Sequence, residues 1–473
     1  MIPLTAIAIA GITGGVLHGG DVLVDGPVVT DSREAGSGSL YVARIGEHAD
    51  GHDFAPAAAA AGAVATLGRR AIDRMPTVVV DDVQRAFAAL ARAVVDRCPE
   101  LGIIGITGSS GKTSTKDMLG QVLQRVGETI APIGSLNSEV GVPLTVCRVS
   151  SSTRFLVAEM GASGVGHIGN LTRIAPPQIG VVLNVGSAHL GEFGSVENIA
   201  RAKAELVQAL PAATSGGVAI LNADDARVAA MAEQTSAAVV TVGRSAAADL
   251  RATDIQLDSG GIPEFTVSGR VRTPDGWQSL TEPVRGLQVR GEHQVGNVLA
   301  VFAAAMAAGL SAAQTLDGLA TARIVSRWRM ELHDLPTGVL LINDAYNANP
   351  DSMRAALRSL AQLGTGRRTL AVLGEMLELG DSSRRAHLAI GELAGSLGID
   401  RLLAVGAGAA PIAEAAGRVG VQVEAVPDVQ AAHRVLQRLL LAGDAVLFKS
   451  SRDAGLRYLG DRIASEAGAV IPS

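Results

Sequence analysis

Short apolar runs alternate with longer amphipathic stretches along most of the chain from Leu101 onward. Continuous apolar runs separated by helical segments are typical of a parallel sheet that is covered by helices on both faces. One such pattern predicts strands at residues 102–106, 155–158, 179–183, 218–221 and 239–242. A second pattern starts near Ser326 and predicts strands at 339–342, 369–373, 402–405 and 445–448, with helices at about 351–362, 383–397 and 429–441.

Two other segments differ from these patterns. Residues 21–98 have shorter apolar runs at 22–24, 40–42 and 78–80, with alanine-rich helical segments at about 54–62 and 84–97. Residues 250–290 have alternating runs and a Pro-Asp-Gly turn, which predict a small antiparallel insert before a helix at about 293–308. The sequence therefore predicts an α/β protein of three units, with boundaries at 1–98, 99–322 and 323–473.

The composition narrows the possible functions. The chain has 473 residues, of which 48% are hydrophobic and 18% charged, so an intrinsically disordered protein is excluded. A net charge of −6 and an aromatic content of 3% argue against broad nucleic-acid binding. The two cysteines, Cys98 and Cys147, are too few for a disulfide scaffold or a Cys-rich zinc site, and we expect both to be reduced and packed.

The first twenty residues are the one stretch that could imitate a targeting signal. They lack the basic start of a signal peptide, and glycines together with His18 interrupt the apolar run. We therefore expect a short helix followed by a glycine-rich turn. The expected location is the cytoplasm, with no membrane insertion.

The sharpest local motif is GITGSSGKT at residues 105–113, between a predicted strand and a predicted helix. Its glycines let successive backbone N–H groups face phosphate oxygens, and the helix N-terminus adds partial positive charge. Lys112 can neutralise phosphate charge, and the Thr113 hydroxyl can bind Mg²⁺. The strict P-loop pattern fails at its first glycine, where Ile106 stands. A glycine-rich turn with a surface lysine is the alternative, but the motif favours binding of nucleotide phosphate.

Three further residues are candidates for the same site. Glu159 follows one predicted strand and His189 comes shortly after the next, so both should lie at the carboxyl edge of the sheet, where ligands bind. Either residue could bind Mg²⁺. A buried salt bridge is the alternative for Glu159, and a hydrogen-bonded core position is the alternative for His189. On charge pattern alone, Lys203 is predicted to be a solvated helix lysine.

The variant P-loop, Glu159, NVGSAH (184–189) and AKAE (202–205) together resemble the Mur ligase family of ATP-dependent amide-forming enzymes. NDAYNANPDSM (343–353) and LGEMLELG (373–380) resemble the family members that add a dipeptide. TDSR (30–33) and DGH (50–52) match the family's uridine-nucleotide domain. The resemblance covers residues 3 to 465. It implies that D-alanyl-D-alanine is joined to the peptide carboxylate of UDP-N-acetylmuramoyl-tripeptide, the last cytoplasmic step of peptidoglycan precursor synthesis.

The resemblance also implies the roles of individual residues. The catalytic set would be Lys112, Lys203, His189 and Arg329. ATP would be held by Thr107, Gly108, Ser109, Ser110, Gly111, Lys112, Thr113, Ser114, Asn297, Arg329, Asp344 and Asn347. The UDP-sugar peptide would be bound by Ser32, Arg33, Asn137 and Ser138, and the acceptor would lie near Tyr346 and Asn349. Two Mg²⁺ ions would be bound by Thr113, Glu159, His189 and Lys203, with Lys203 present as a carbamate.

The resemblance further implies a monomer that binds only small molecules. Because its ATP ligands are divided between two units, we expect the units to close on binding and to stand apart without ligand. The sequence departs from the family pattern at Ser138, Gln294, Ser450 and residues 43–46.

Three other functions remain alternatives. A ligase that adds a single amino acid should carry an Asp-Asn-Pro-Arg element, but Asn-Ala-Asn-Pro stands at 347–350. A P-loop kinase or motor ATPase would leave the uridine-domain motifs unexplained. A non-catalytic nucleotide-binding module is disfavoured because Lys112, Thr113, Glu159, His189 and Lys203 are all present.

Overall fold

A computed structural model describes residues 1–46 and 49–470. It contains three successive α/β units, each built on its own main sheet, which confirms the predicted fold class. The last three residues of the predicted third unit lie outside the described part of the chain.

The first unit is a five-stranded sheet in the order β2-β7-β6-β5-β4, beside a small antiparallel pair of β1 and β3. Its elements are β1 (Leu4–Thr5), α1 (Ala6–Thr13), β2 (Val16–His18), β3 (Leu23–Val24), β4 (Val28–Val29), β5 (Ser39–Val42), α2 (Ala55–Ala60), β6 (Ala63–Gly68), β7 (Thr77–Val79) and α3 (Val83–Asp96). The expected N-terminal helix is α1, and it ends at Gly14 in the left-handed conformation. Helix α3 begins where the Asp82 carboxylate accepts from the Arg85 N–H.

The middle unit is a nine-stranded sheet in the order β16-β15-β14-β13-β12-β11-β8-β10-β9. Its elements as far as the insert are β8 (Gly102–Thr107), α4 (Lys112–Gln124), β9 (Thr129–Ile130), α5 (Gly141–Val146), β10 (Phe155–Glu159), α6 (His167–Ile174), β11 (Ile179–Val182), α7 (Leu190–Phe193), α8 (Val196–Gln208), β12 (Val218–Asn222), α9 (Ala226–Ala229) and β13 (Ala238–Gly243). These strands are all parallel, as their continuous apolar runs predict.

The insert extends this sheet. Its strands are antiparallel to one another, as predicted, but the first of them pairs in parallel with β13. The insert and the two helices after it are β14 (Leu250–Leu257), β15 (Pro263–Thr273), β16 (Gly276–Val284), α10 (Gln294–Ala307) and α11 (Ala312–Leu319). Helix α10 packs on β15 and α4, and it is almost entirely buried.

The third unit is a six-stranded sheet in the order β17-β18-β22-β19-β20-β21, in which only β17 is antiparallel to its neighbour. Its elements are β17 (Glu331–Asp334), β18 (Leu340–Asn343), α12 (Pro350–Leu363), β19 (Thr369–Leu373), α13 (Ser383–Ser396), β20 (Arg401–Val405), α14 (Ala410–Arg418), β21 (Gln422–Val426), α15 (Val429–Leu439), β22 (Ala445–Lys449) and α16 (Leu456–Glu466). Helix α12 begins with a capping box between Asn349 and Ser352, and Pro350 opens its first turn.

The units are joined in two different ways. One apolar cluster runs without a break from Val24 in the first unit through Leu90 of α3 to Leu156 in the middle sheet. The third unit has apolar clusters of its own on both faces of its sheet and meets the middle unit mainly through polar contacts.

The third unit is docked on the middle unit. Asn349 Nδ2 donates to the Ser109 carbonyl at 3.3 Å, and the Gly191 N–H donates to the Glu378 carbonyl at 2.8 Å. These polar groups find partners across the interface, and their hydrogen bonds hold the two units together.

Cys98 and Cys147 are both free thiols, as expected. Burial raises the pKa of the Cys147 thiol to about 12. Among the helices of residues 1–46 and 49–470, none is long and apolar enough to cross a membrane.

Candidate active site

The P-loop lies between the end of β8 and the start of α4. Gly111 precedes the helix with φ of 83°, and a Cβ there would lie 2.6 Å from Asn297 Oδ1, so both the backbone conformation and the space require glycine. Asn184, two residues after the neighbouring strand β11, supports the loop through hydrogen bonds. Its Oδ1 accepts from the N–H groups of Ser109 and Ser110, each at 2.9 Å.

Lys112 and Thr113 open the helix and are not solvated surface groups. Lys112 Nζ donates to the Gly108 carbonyl at 2.8 Å, and burial lowers the pKa of its amine, while Glu159 opposes that shift. Thr113 is buried, and its hydroxyl donates to Glu159 Oε2 at 2.9 Å. The alternative of a glycine-rich turn with a surface lysine is therefore wrong.

Glu159 ends β10, which pairs directly with β8. Its second carboxylate oxygen accepts from the Ser135 hydroxyl at 2.8 Å and from Asn137 Nδ2 at 2.7 Å. Within the described residues this buried carboxylate has hydroxyl and amide partners and no ion pair, so the salt-bridge alternative does not hold. A carboxylate beside the P-loop threonine supplies the oxygen ligands that Mg²⁺ prefers.

His189 stands at the same edge of the sheet but faces the third unit. Its Nδ1 lies 2.5 Å from Glu378 Oε2 and 3.8 Å from Glu192 Oε2. These three residues are close enough together to bind one metal ion. Burial lowers the pKa of the imidazole, and the charges of Lys112 and Lys203 add to that effect.

Lys203 contradicts the expectation from its charge pattern. It lies on α8 and is only 5% exposed, so it is not a solvated helix lysine. Burial lowers the pKa of its amine to about 7, with a further contribution from the charge of Lys112. Lys203 is buried because the face of α8 that carries it is mostly apolar. A local charge pattern does not reveal that burial.

The third unit adds a cluster of cationic and aromatic side chains. Arg329 Nη2 donates to Thr113 Oγ1 at 3.2 Å, and its guanidinium lies 4.2 Å from the centre of the Tyr346 ring. Lys449 ends β22 and is buried, and its Nζ pairs with Asp344 Oδ2 at 2.6 Å. It also donates to the Asn347 carbonyl at 3.1 Å. Asn349 serves as the cap of α12, as described above.

All of these groups line one cavity of about 1510 Å³ between the three units. Every residue expected to bind ATP lines it except Thr107, which is buried at the end of β8. Asn297 takes part through its contact with Gly111, and its Nδ2 donates to Gln294 Oε1 at 2.8 Å. Gln294, where the sequence departs from the family pattern, therefore supplies the amide oxygen that accepts a hydrogen bond from Asn297.

Of the four residues expected to bind the UDP-sugar peptide, Asn137 and Ser138 of the middle unit line the cavity. Ser32 and Arg33 of the first unit do not line it, and Arg33 is paired with Asp31 at 2.5 Å on the surface. This pairing lowers the pKa of the Asp31 carboxyl to about 2. Arg44 and Arg69 instead bring positive charge to this end of the cavity.

The Asp-Gly-His element at residues 50–52 supports the backbone at Arg69. His52 is buried, its Nδ1 lies 2.5 Å from Asp50 Oδ1, and its Nε2 accepts from the Arg69 N–H at 2.8 Å. This element therefore has a local structural role, which positions the backbone that carries Arg69.

Sequence reasoning did not assign Lys449, Glu378, Arg44 or Arg69 to the site. A lysine that directly follows an apolar strand near the C-terminus is a signal that could have identified Lys449. The other three lie on loops, where periodicity gives no orientation.

Three family models match the chain in sequence order. They are the Mur ligase family catalytic domain at residues 27–101, the Mur ligase middle domain at 106–305, and the Mur ligase, glutamate ligase domain at 328–452. Together with the P-loop site between the second and third units, they define the class of protein. The chain belongs to the Mur ligase family.

Within the family, several relatives that are 30–42% identical share one named activity. The UDP-N-acetylmuramoyl-tripeptide–D-alanyl-D-alanine ligase of Mycobacterium tuberculosis (strain ATCC 25618 / H37Rv) is 42% identical over 100% of both chains. A crystal structure of MurF from Acinetobacter baumannii superposes with a TM-score of 0.85 at 32% identity, over 98% of this chain and 99% of that one. MurF from Thermotoga maritima in complex with ADP has a TM-score of 0.76 at 27% identity, over 93% and 97% of the two chains.

Proposed function

We propose that this chain joins D-alanyl-D-alanine to the peptide carboxylate of UDP-N-acetylmuramoyl-tripeptide, with conversion of ATP to ADP and phosphate. The observation that carries the proposal is the meeting of Lys112, Thr113 and Glu159 with Arg329 of the third unit in one cavity. The full-length relatives of this named activity and the ADP complex of a MurF structure support it.

A carboxylate is a poor electrophile, because its negative charge repels an attacking amine. Transfer of the γ-phosphoryl group of ATP to the peptide carboxylate releases ADP and forms an acyl phosphate with a good leaving group. The dipeptide amine then attacks the acyl carbon, a proton is lost, and phosphate leaves as the amide forms. The protein's part is positioning and charge stabilisation.

The proposed residues divide these tasks. Lys112 and the P-loop N–H groups would hold the phosphates from the middle unit, and Arg329 would add positive charge from the third unit. Asn297 would lie near the adenine, and the Asp344–Lys449 pair would set the shape of the cavity next to it. Tyr346 and Asn349 lie on the third unit beside this cavity, where the acceptor would bind.

The residues also fit Mg²⁺. Thr113, Glu159 and His189 would hold the ions, together with Lys203 as a carbamate, because an ammonium at Lys203 would repel a cation. When bound, Mg²⁺ neutralises phosphate charge. The buried Lys203 amine suits carbamate formation, since its lowered pKa leaves a large neutral fraction that can add to CO₂ with loss of a proton.

We propose that residues 1–98 bind the uridine substrate, 99–322 bind ATP, and 323–473 bind the acceptor. Arg44 and Arg69 give the first unit the positive charge that a diphosphate would need. We further propose that the protein is a cytoplasmic monomer. Its partners are these small molecules, and it neither binds nucleic acid nor inserts into a membrane.

The acceptor test measures phosphate release and peptide-bond formation with ATP and UDP-N-acetylmuramoyl-tripeptide. D-Alanyl-D-alanine should support both, and single D- or L-amino acids should support neither. Equal rates with a single amino acid would favour the alternative ligase. ATP consumption without a new peptide bond would contradict the proposal altogether.

Asn184→Ala should weaken ATP binding more than it slows turnover. The change removes the side chain that accepts from two P-loop N–H groups and donates to the Ser110 carbonyl at 3.1 Å. At roughly 1 kcal/mol for each hydrogen bond, we expect the KM for ATP to rise about tenfold to a hundredfold. The matched control is Asn222→Ala, which loses amide contacts to Leu183 and Asp224. If both variants raise the KM equally, Asn184 has no particular role in the loop.

A further inference from the structure

The chain that connects the middle and third units follows one face of the P-loop helix. Residues 320–330, here called the interdomain linker, run antiparallel to α4. The side chains that bind it recur at every fourth position and therefore lie on one face of the helix: Thr113, Asp117 and Gln121 of α4 and Arg125, which follows its last residue. The helix that carries the phosphate-binding lysine thus also guides the linker.

The far end of this contact is exposed. Gln121 Nε2 donates to the Arg323 carbonyl at 2.6 Å, and its Oε1 accepts from the Arg323 N–H at 3.2 Å. Arg125 Nη1 lies 3.5 Å from Thr321 Oγ1. Water competes for such exposed hydrogen bonds, so this end fixes the linker weakly.

The central contact is buried and charged. Asp117 Oδ2 accepts from the N–H groups of Val325 and Ser326 at 3.0 and 2.8 Å, and Oδ1 accepts from the Ser326 hydroxyl at 3.0 Å. The side chain of Asp117 is 1% exposed. Three hydrogen bonds to one buried carboxylate specify which linker residues lie opposite it.

A second loop of the middle unit, residues 132–135, stabilises this contact. Lys116 is buried and pairs with Asp117 Oδ1 at 2.8 Å, while its Nζ also donates to the carbonyls of Pro132 and Gly134. The Gly134 N–H in turn donates to the Ser326 hydroxyl at 2.9 Å. The next residue, Ser135, is the one that donates to Glu159. The linker, the P-loop helix and the Glu159 loop therefore share one buried polar network.

One turn of α4 before Asp117, the linker reaches Arg329. This residue stands between Trp328 and Met330, whose φ values of 59° and 54° are unusual for side chains of their size. The Met330 N–H donates to Asp344 Oδ1 at 3.0 Å, which fixes the strained segment from the third unit. The guanidinium of Arg329 then falls on Thr113, and its buried Nε has no protein partner within the described part of the chain.

We propose that Asp117 is a positioning residue, which fixes the register of the linker on α4 and thereby places Arg329 at Thr113. Consecutive Cα atoms lie about 3.8 Å apart, so a slip of the linker by one residue on Asp117 would displace Arg329 by more than a hydrogen bond to Thr113 tolerates. The inference rests on the proposed function in one respect, that Arg329 acts on the bound triphosphate. Asp117 itself does not line the cavity.

The test is a double-mutant cycle on kcat for ATP-dependent peptide-bond formation. Ser326→Ala removes one of the three hydrogen bonds to Asp117 and the acceptor of the Gly134 N–H, and it keeps the Lys116–Asp117 pair, so it should fold normally. We expect it to lower kcat roughly tenfold while the dissociation constant for ATP, measured by calorimetry, changes little. In an Arg329→Ala background it should lower kcat no further, since its effect is transmitted through Arg329.

Two further variants sharpen the cycle. Asp117→Asn should show the same lack of additivity with a larger loss of kcat, and thermal unfolding checks that it folds. Gln121 contacts the linker only at the linker's exposed end, so Gln121→Ala should keep kcat within about twofold of the wild type.

Losses that multiply in the double variant, or equal losses in Gln121→Ala and Ser326→Ala, would overturn the positioning role and leave the proposed function intact. Full activity of Arg329→Ala would overturn the assignment of Arg329 and, with it, this inference.

Discussion

Lys112→Ala is expected to abolish ATP-dependent turnover and to leave uridine-nucleotide binding largely intact. The Lys112 amine is the P-loop cation, held at the Gly108 carbonyl beside Thr113 and Glu159. Loss of a preorganised charge in a water-poor site lowers kcat by roughly 10² to 10³ or more. The residues proposed for the uridine substrate lie on other elements, so their affinity should change by less than about threefold. Phosphate release measures turnover, and calorimetry measures binding of the uridine substrate.

Lys112→Met is the matched control, because it keeps the length of the side chain and removes the charge. It should be as inactive as Lys112→Ala, whereas Lys112→Arg should retain some turnover. If Lys112→Ala weakened uridine-nucleotide binding as strongly as turnover, separate sites for the two nucleotides would be contradicted.

Lys203→Ala should be nearly inactive, and short carboxylates such as acetate or formate should restore part of its activity. The substitution opens space on the buried face of α8 that a small anion can enter, and that anion would replace the oxygen atoms of a carbamate. Arg201→Ala is the control on the same helix, since Arg201 is exposed and should be dispensable.

A second measurement tests the carbamate itself. Wild-type protein equilibrated with ¹³C-bicarbonate should give a carbamate carbon signal that is absent from Lys203→Ala and present in Arg201→Ala. Wild-type activity of Lys203→Ala would remove this residue from the mechanism. Inactivity without rescue and without a carbamate signal would assign Lys203 to packing alone.

Where an apolar run is long and central, its strand could be predicted from the sequence. Strand β19 was predicted at its observed bounds, and β8 and β10 were each predicted one residue short at the end. These strands are buried on both faces, so their sequences are continuously apolar. The P-loop gave a second, independent signal for the β8–α4 turn.

The short and edge strands could not be predicted in the same way. β1 and β4 have two residues each, and β21 at the edge of its sheet alternates weakly. β17 carries Glu331, His333 and Asp334 and is a strand only because β18 lies beside it. Pairing partners that are distant in sequence decide these elements.

Glu159 was assigned to the site because it follows a predicted strand, whereas Asp344 was assigned only through the resemblance to the Mur ligase family. The environment of a site residue was not predicted where burial or contact between units decides it. Lys203 has a polar helical neighbourhood in sequence and a buried side chain in the fold. The contact of His189 with Glu378 joins two units, and no local pattern contains it.

From the unequal joining of the three units we expect a particular route for the release of ADP. The apolar cluster shared by the first and middle units makes them one rigid body, because separating them would expose it to water. The third unit is held by hydrogen bonds and by the polar contact between His189 and Glu378, which water can replace during a transient separation. ADP and phosphate should therefore depart on the side of the third unit, and each catalytic cycle should include the breaking and re-forming of these polar bonds.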